Sequence, residues 1–282
     1  MKVLYIQPFD RPWFDEPEKS AGRKKMYLSR AQFEVGLQIP EEHDVAYLDL
    51  NLSLKQGIGV EQGVKNIMSS FQPDAVFISF PSFTHGDQIF SILTAVREIS
   101  PELKTVLGGS VIPLIQNAPL RWWEKKVSCV YDGYGKEIPE LLAPGNNWPN
   151  PTENGGGGKI IIDDYSPEDF YSAGGRFDFK KYVSTCKTLG MSPMGIVEMT
   201  RGCPFTCDFC SLNSKRMLLQ VRTVTTVLRE IRFLLESGVN YIHIIDPTFG
   251  LPPKESDLLL RAMAEIYESF PQAKFEVLTR SE

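Results

Sequence analysis

Nowhere in the 282 residues is there an apolar run of the roughly 18 positions that a membrane-spanning helix requires. The N-terminus, Met1-Lys2-Val3-Leu4-Tyr5-Ile6-Gln7-Pro8, is apolar only from Val3 to Ile6, too short a stretch for a signal peptide. Positive charge is in deficit: 30 Lys and Arg stand against 35 Asp and Glu, a formal net charge of −5, which leaves no basic footprint for nucleic acid. Cysteine is scarce and odd in number, five in all, which excludes a disulfide scaffold for a chain of this length. A nicotinamide dinucleotide fingerprint is also missing. The first apolar strand runs into Gln7-Pro8-Phe9-Asp10, which has no glycine, and Gly57-Ile58-Gly59 with Gly63 has the wrong spacing. These absences leave small-molecule chemistry in the cytoplasm, with no membrane and no nucleic acid as partner.

What is present is ample apolar residue, 42% of the chain, enough for packed cores, and a length that suits about two domains. Up to residue 145, short apolar strands alternate with amphipathic stretches. Strands are predicted at Lys2–Ile6, Asp44–Leu50, Ala75–Phe80, Lys104–Leu107 and Val127–Tyr131, and helices near Lys25–Leu37, Val60–Phe71, Asp87–Ile99 and Lys136–Leu142. Such alternation predicts a doubly wound parallel sheet, α/β in class and Rossmann-like. Residues 144–158 carry Pro144, Pro149, Pro151 and then Gly155 to Gly158, a linker composition, and 159–190 is irregular apart from a possible short strand at Lys159–Ile162. The domain reading is therefore 1–145, a linker over 146–190, and a second alternating region over 191–282. That region has strands at Gly195–Met199, Asn240–Ile245 and Lys274–Leu278, with helices at Thr223–Ser237, stopped by Gly238, and Glu255–Phe270. It reads as the first part of a (β/α) barrel, which needs roughly 200 residues to close. The expectation is a C-terminally truncated piece of a longer polypeptide.

Three of the cysteines fall in Thr200-Arg201-Gly202-Cys203-Pro204-Phe205-Thr206-Cys207-Asp208-Phe209-Cys210, a C-x3-C-x2-C spacing after a strand. Three thiolates on one loop can hold three irons of a four-iron cluster and leave the fourth open to a ligand. A structural zinc site is the alternative; it needs a fourth ligand, for which Cys186 and His243 are the nearby candidates. Cys129 and Cys186 otherwise read as buried packing.

This segment resembles the signature of the radical S-adenosylmethionine (SAM) enzymes. The resemblance implies a [4Fe–4S] cluster on Cys203, Cys207 and Cys210, with S-adenosylmethionine chelating the open iron. One electron then cleaves it to methionine and a 5′-deoxyadenosyl radical. On the family pattern Phe209 lies against the adenine, and Asp246-Pro247-Thr248 occupies the place of the motif that meets the methionine amino group. An electron donor such as flavodoxin or ferredoxin is implied as a partner.

In the first region three pieces, in order, resemble the cobalamin-binding domain that precedes the barrel in a large branch of this family. They are Ser82, Thr84 and His85 after the third strand, Gly108-Gly109-Ser110 after the fourth, and Gly133 with Gly135 after the fifth. Tyr134 and Lys136 stand where that branch has glutamates, and the Asp-x-His-x-x-Gly motif that gives cobalt a histidine is absent. His85 can equally be an ordinary loop histidine, and Gly108-Gly109 a strand-end turn. Trp13 and Phe14, in the charged loop Asp10–Lys25, can pack on a corrin face or anchor a surface loop. Trp122-Trp123 reads as packing at a domain edge, and Lys215 and Arg216 can meet a carboxylate. The resemblance implies a cobalamin-dependent radical SAM enzyme, C-methylating an unactivated carbon of a small-molecule or peptide substrate. The alternatives are a non-methylating cyclase or rearrangement enzyme of the same branch, and a non-catalytic cobalamin- or metal-binding module. No acid or base catalyst is assigned.

Overall fold

A computed structural model describes residues 1–9, 25–27, 35–36, 38–112, 123, 126–133, 135–148, 159–162, 178–208, 210 and 219–279, with backbone only at 25–27 and 159–162. The chain forms two compact units, one of Met1–Arg23 with Ala31–Pro167 and one of Lys24–Arg30 with Glu168–Glu282.

The first unit is a six-stranded sheet of β1 (Lys2–Gln7), β3 (Asp44–Asp49), β4 (Ala75–Ser79), β5 (Lys104–Gly108), β6 (Cys129–Asp132) and β7 (Lys159–Ile162). Its order is β3-β1-β4-β5-β6-β7, and every pair is parallel. The central strands are apolar at consecutive positions because both faces of the sheet are covered. Alternate residues enter two separate cores. Leu4, Ile6, Val76, Ile78, Leu107 and Val130 pack in one with Val64 and Met68 of α2 (Val60–Phe71) and Ile89, Ile92 and Leu93 of α3 (Gly86–Ile99). Val3, Tyr5, Ala75, Phe77, Val106, Cys129 and Tyr131 pack in the other with Ile138, Leu141 and Leu142 of α4 (Ile138–Leu142). Strand order reverses on either side of β1, which places a topological switch point at the carboxyl ends of β1 and β4. A short helix not foreseen, α1 (Leu50–Lys55), starts where Asp49 accepts the N–H of Asn51 at 2.8 Å. The 144–158 stretch does not end the unit: β7 returns beyond it to pair with β6, so the first unit runs on to Pro167 rather than stopping at 145.

The second unit has a parallel sheet of order β12-β11-β8-β2, built from β2 (Lys25–Tyr27), β8 (Ser192–Val197), β11 (Tyr241–Ile244) and β12 (Lys274–Val277). Helix α5 (Phe179–Thr188) precedes β8, α6 (Val224–Glu236) joins β8 to β11, and α7 (Pro253–Ser269) joins β11 to β12. α5 lies in a stretch read as irregular, although Phe179, Val183 and Cys186 are buried at helical spacing. α6 begins at Thr223, whose hydroxyl accepts the N–H of Thr226, and ends ahead of Gly238 with φ +89°. It lies so close on β8 that a Cβ on Gly195 would stand 2.7 Å from Leu234. The predicted helix Lys25–Leu37 is corrected at its start. Lys25–Tyr27 is a strand paired with Ser192–Met194, because sheet pairing overrides local helical periodicity. Among the described residues no helix is long and apolar enough to cross a membrane.

Candidate functional site

Two residues after β8, Thr200–Arg201 (β9) pairs antiparallel with Gln220–Val221 (β10), and the hairpin encloses residues 202–219. Gly202, with φ +77°, turns the chain into the cysteines. Cys203, Cys207 and Cys210 are each half-buried and none is in a disulfide. The N–H of Cys210 donates to the carbonyl of Cys207 at 3.0 Å, closing a turn between the second and third thiols. Phe209, Lys215 and Arg216 lie outside the described residues. Cys186 and His243, the fourth ligands a zinc site would draw on, are buried in α5 and β11, and Cys129 is buried in the first unit. Among the described residues no three His, Cys, Asp or Glu side chains converge at metal-ligand spacing.

The neck of this loop is held by side chains from several elements. Asp246, just past β11, is fully buried, and its Oδ1 accepts the N–H of Met199 at 2.7 Å and of Thr200 at 3.1 Å. Burial pushes its carboxyl above the usual carboxylate range, against the lowering effect of these bonds. On the β10 side, Arg222 Nη1 donates to the carbonyl of Glu198 at 2.9 Å. The same guanidinium forms a buried two-point ion pair with Glu230 of α6, at 3.1 and 2.6 Å. Arg201 pairs with the carboxylate of Glu198. Thr248 Oγ1 lies 3.8 Å from Cys203 Sγ, so the structure brings the Asp246-Pro247-Thr248 segment to the first cysteine. Pro247 and Thr248 are half-buried. Sequence reasoning missed Arg222 and Glu230. Their signal is an acidic residue on the otherwise apolar face of Val227, Ile231 and Leu234.

In the first unit the candidate residues gather at the carboxyl ends of β4, β5 and β6. Ser82 Oγ accepts the N–H of Thr84 at 3.4 Å and its hydroxyl at 3.1 Å, and His85 Nδ1 donates to the carbonyl of Ser82 at 3.2 Å. His85 is buried within this turn. Gly108 and Gly109 are stitched to β4's exit: Phe80 N–H donates to Gly108 O at 2.6 Å, and Ser110 Oγ to Pro81 O at 2.6 Å. A Cβ on Gly109, at φ +124°, would lie 2.5 Å from Phe80 O, so the approach of two strand exits itself requires this glycine. Gly133 is exposed, and Gly135, at φ +102°, packs against Gln38 and Ile138. At the switch point Gln88 binds both backbone groups of Phe9, at 3.0 Å each. Trp123 is in the core rather than at an edge, while Trp13, Phe14, Trp122 and Tyr134 lie outside the described residues.

Residues 197–281 match the family model of the Radical SAM superfamily. That stretch, which includes the three-cysteine loop, is similar to a radical SAM domain. The chain is 26% identical to the uncharacterized methyltransferase PH0819 of Pyrococcus horikoshii, over 94% of this chain and 58% of that protein. It is 27% identical to the cobalamin-dependent radical SAM methyltransferase TokK of Streptomyces tokunonensis, over 69% of this chain and 30% of that one. The chain thus spans 58% and 30% of these relatives' lengths. In fold it is similar to the radical S-adenosylmethionine methyltransferase TsrM of Kitasatospora setae, with a TM-score of 0.68 over 97% of this chain and 53% of that one, at 16% identity. The α/β reading, with a doubly wound unit ahead of barrel strands, stands.

Proposed function

We propose that this chain carries the cofactor-binding units of a cobalamin-dependent radical SAM methyltransferase, which C-methylates an unactivated carbon of a small-molecule or peptide substrate in the cytoplasm. The observation that carries the reading is the three-thiol loop at the carboxyl mouth of a parallel sheet, its neck pinned by Asp246 and Arg222. The donor set fits the cluster: three soft, half-buried thiols on one loop, with the chain's other two cysteines buried in cores. Cys203, Cys207 and Cys210 would bind three irons, drawn together on loading. Pro247 and Thr248, beside Cys203, and Phe209 would face S-adenosylmethionine. When bound, the cluster supplies one electron, received from flavodoxin or ferredoxin, for reductive cleavage of S-adenosylmethionine. Support for cobalamin comes from the relatives' names and from the turns at Ser82, Thr84, Ser110, Gly133 and Gly135, at the carboxyl ends where ligands of parallel sheets bind.

Anaerobic reconstitution with iron and sulfide, followed by assay of 5′-deoxyadenosine with dithionite, tests the first half. About four irons per chain and product that vanishes in Cys203→Ala are expected; a single zinc with no cluster ends the reading. Incubation with hydroxocobalamin and gel filtration tests the second half. Cobalamin co-eluting with the chain supports the methyltransferase, whereas cleavage without cobalamin uptake favours a non-methylating radical enzyme.

A further inference from the structure

We infer that Asp246 is a positioning residue that sets the departure angle of the cysteine loop through the backbone of Met199 and Thr200, and that it does not touch the bound ligands. The inference deepens the radical SAM reading and uses it only for the functional consequence.

The register of the sheet shows where Asp246 stands. β11 and β8 run parallel with Ile244 opposite Val197, and the N–H of Ile245 still donates to the carbonyl of Val197 at 2.9 Å. Beyond that bond the ladder stops. At the next step the side chain of Asp246 takes over, with Oδ1 receiving the N–H groups of two consecutive residues, Met199 and Thr200. In a continuing strand, successive N–H groups point to opposite sides and cannot share one acceptor. One oxygen binding both therefore fixes a bend, and Cys203 follows only three residues after it. The same segment returns to the loop at Thr248, 3.8 Å from Cys203 Sγ. Asp246 thus ties the strand that leads into the cysteines to the turn that faces them.

Burial argues against direct contact. Asp246 is 0% exposed, and its second oxygen, Oδ2, is buried with no hydrogen-bond partner. A carboxylate that grips the amino group of an amino-acid ligand has to present an oxygen to the site, and neither oxygen is presented. Thr200 Oγ1 is likewise buried with no hydrogen-bond partner.

The test uses the 282-residue chain with Asp246→Asn and Asp246→Ala. Hydrogen exchange at the amides of residues 199 and 200 is read first, in metal-free protein. Asn keeps the Oδ1 acceptor, so protection should stay within about 3-fold of wild type, while Ala should lower it about 10- to 100-fold, as loss of charge-assisted bonds implies. After reconstitution, Asp246→Asn should keep the change that S-adenosylmethionine produces in the electron paramagnetic resonance of the reduced cluster, and Asp246→Ala should lose iron. If Asp246→Asn keeps amide protection but loses the S-adenosylmethionine response, the carboxylate is a ligand contact and the inference is overturned. Unchanged protection in Asp246→Ala overturns it as well. Should the Ala variant not fold, Asp246→Asn against wild type still decides. A chain that takes up no cluster but loses protection in Asp246→Ala leaves the positioning role standing and sinks only the radical SAM reading.

Discussion

At the scale of single residues, the structure separates glycines that the protein needs from those a turn merely tolerates. Gly109→Ala places a methyl group 2.5 Å from Phe80 O at φ +124°, and should cost about 3 kcal/mol or more in strain and overpacking. Gly57→Ala, at φ +77° with nothing within 4 Å, should cost only the left-handed penalty of about 1–2 kcal/mol. Urea denaturation of both variants checks the contrast; equal losses would mean that the β4 and β5 exits are not packed as described. Asp246 yields a pH prediction. Burial raises its native pKa above the unfolded carboxylate value of about 4. Between the two values the native state holds more protons than the unfolded one, so stability falls as pH rises through that window and the loss is complete above the native pKa. Asp246→Asn removes this titration while keeping the Oδ1 acceptor. The variant's melting temperature relative to wild type should therefore be higher at neutral pH than at about pH 4, in metal-free protein; a pH-independent difference refutes the assignment. The cysteine spacing was legible because its chemistry is local. The role of Asp246 was not, since it depends on which backbone amides lie across a sheet.

At the scale of elements, α6 does more than cover β8. Its Glu230 reaches Arg222 at the exit of the β9–β10 hairpin, and Arg222 reaches the carbonyl of Glu198 at the entrance. Both side chains are almost fully buried, so removal of one partner takes a close countercharge from the other. Glu230→Ala should cost about 3–5 kcal/mol. The double variant Arg222→Met, Glu230→Leu should recover most of that loss, because an apolar pair of similar volume is often no less stable than a buried ion pair. It should not recover all of it, since the bond from Arg222 to Glu198 O is lost as well, worth about 1–3 kcal/mol. Urea midpoints of the single and double variants give the answer, and a double variant no better than Glu230→Ala would show that the pair acts by geometry rather than by charge. The helix was legible from its apolar periodicity and from its stops at Thr223 and Gly238. The ion pair was not, because Arg222 belongs to the hairpin and only the folded loop brings it to the helix.

At the scale of the whole molecule, the alternation of strands and helices was enough to read two parallel sheets, because strands buried on both faces are continuously apolar. It was not enough to read the connections. Lys159–Ile162 lies beyond a glycine-rich stretch and still belongs to the first sheet, while Lys25–Tyr27, close to the N-terminus, belongs to the second. Strands of three or four residues carry no periodicity of their own; their partners define them. β2 nevertheless covers the outer side of β8, the strand that delivers the cysteines, with Lys25 opposite Ser192 and Tyr27 opposite Met194. In such an edge strand successive N–H groups point alternately toward the partner and away. Proline substitutions at Met26 and at Tyr27 should thus differ sharply. One removes a bond to β8, which raises exchange at the amides of residues 192–194 and lowers the melting temperature; its neighbour leaves both nearly unchanged. The first unit should show no gain in exchange in either variant. If both prolines prove harmless, β2 does not hold β8, and the entrance to the cysteine loop depends on β11, Asp246 and Arg222.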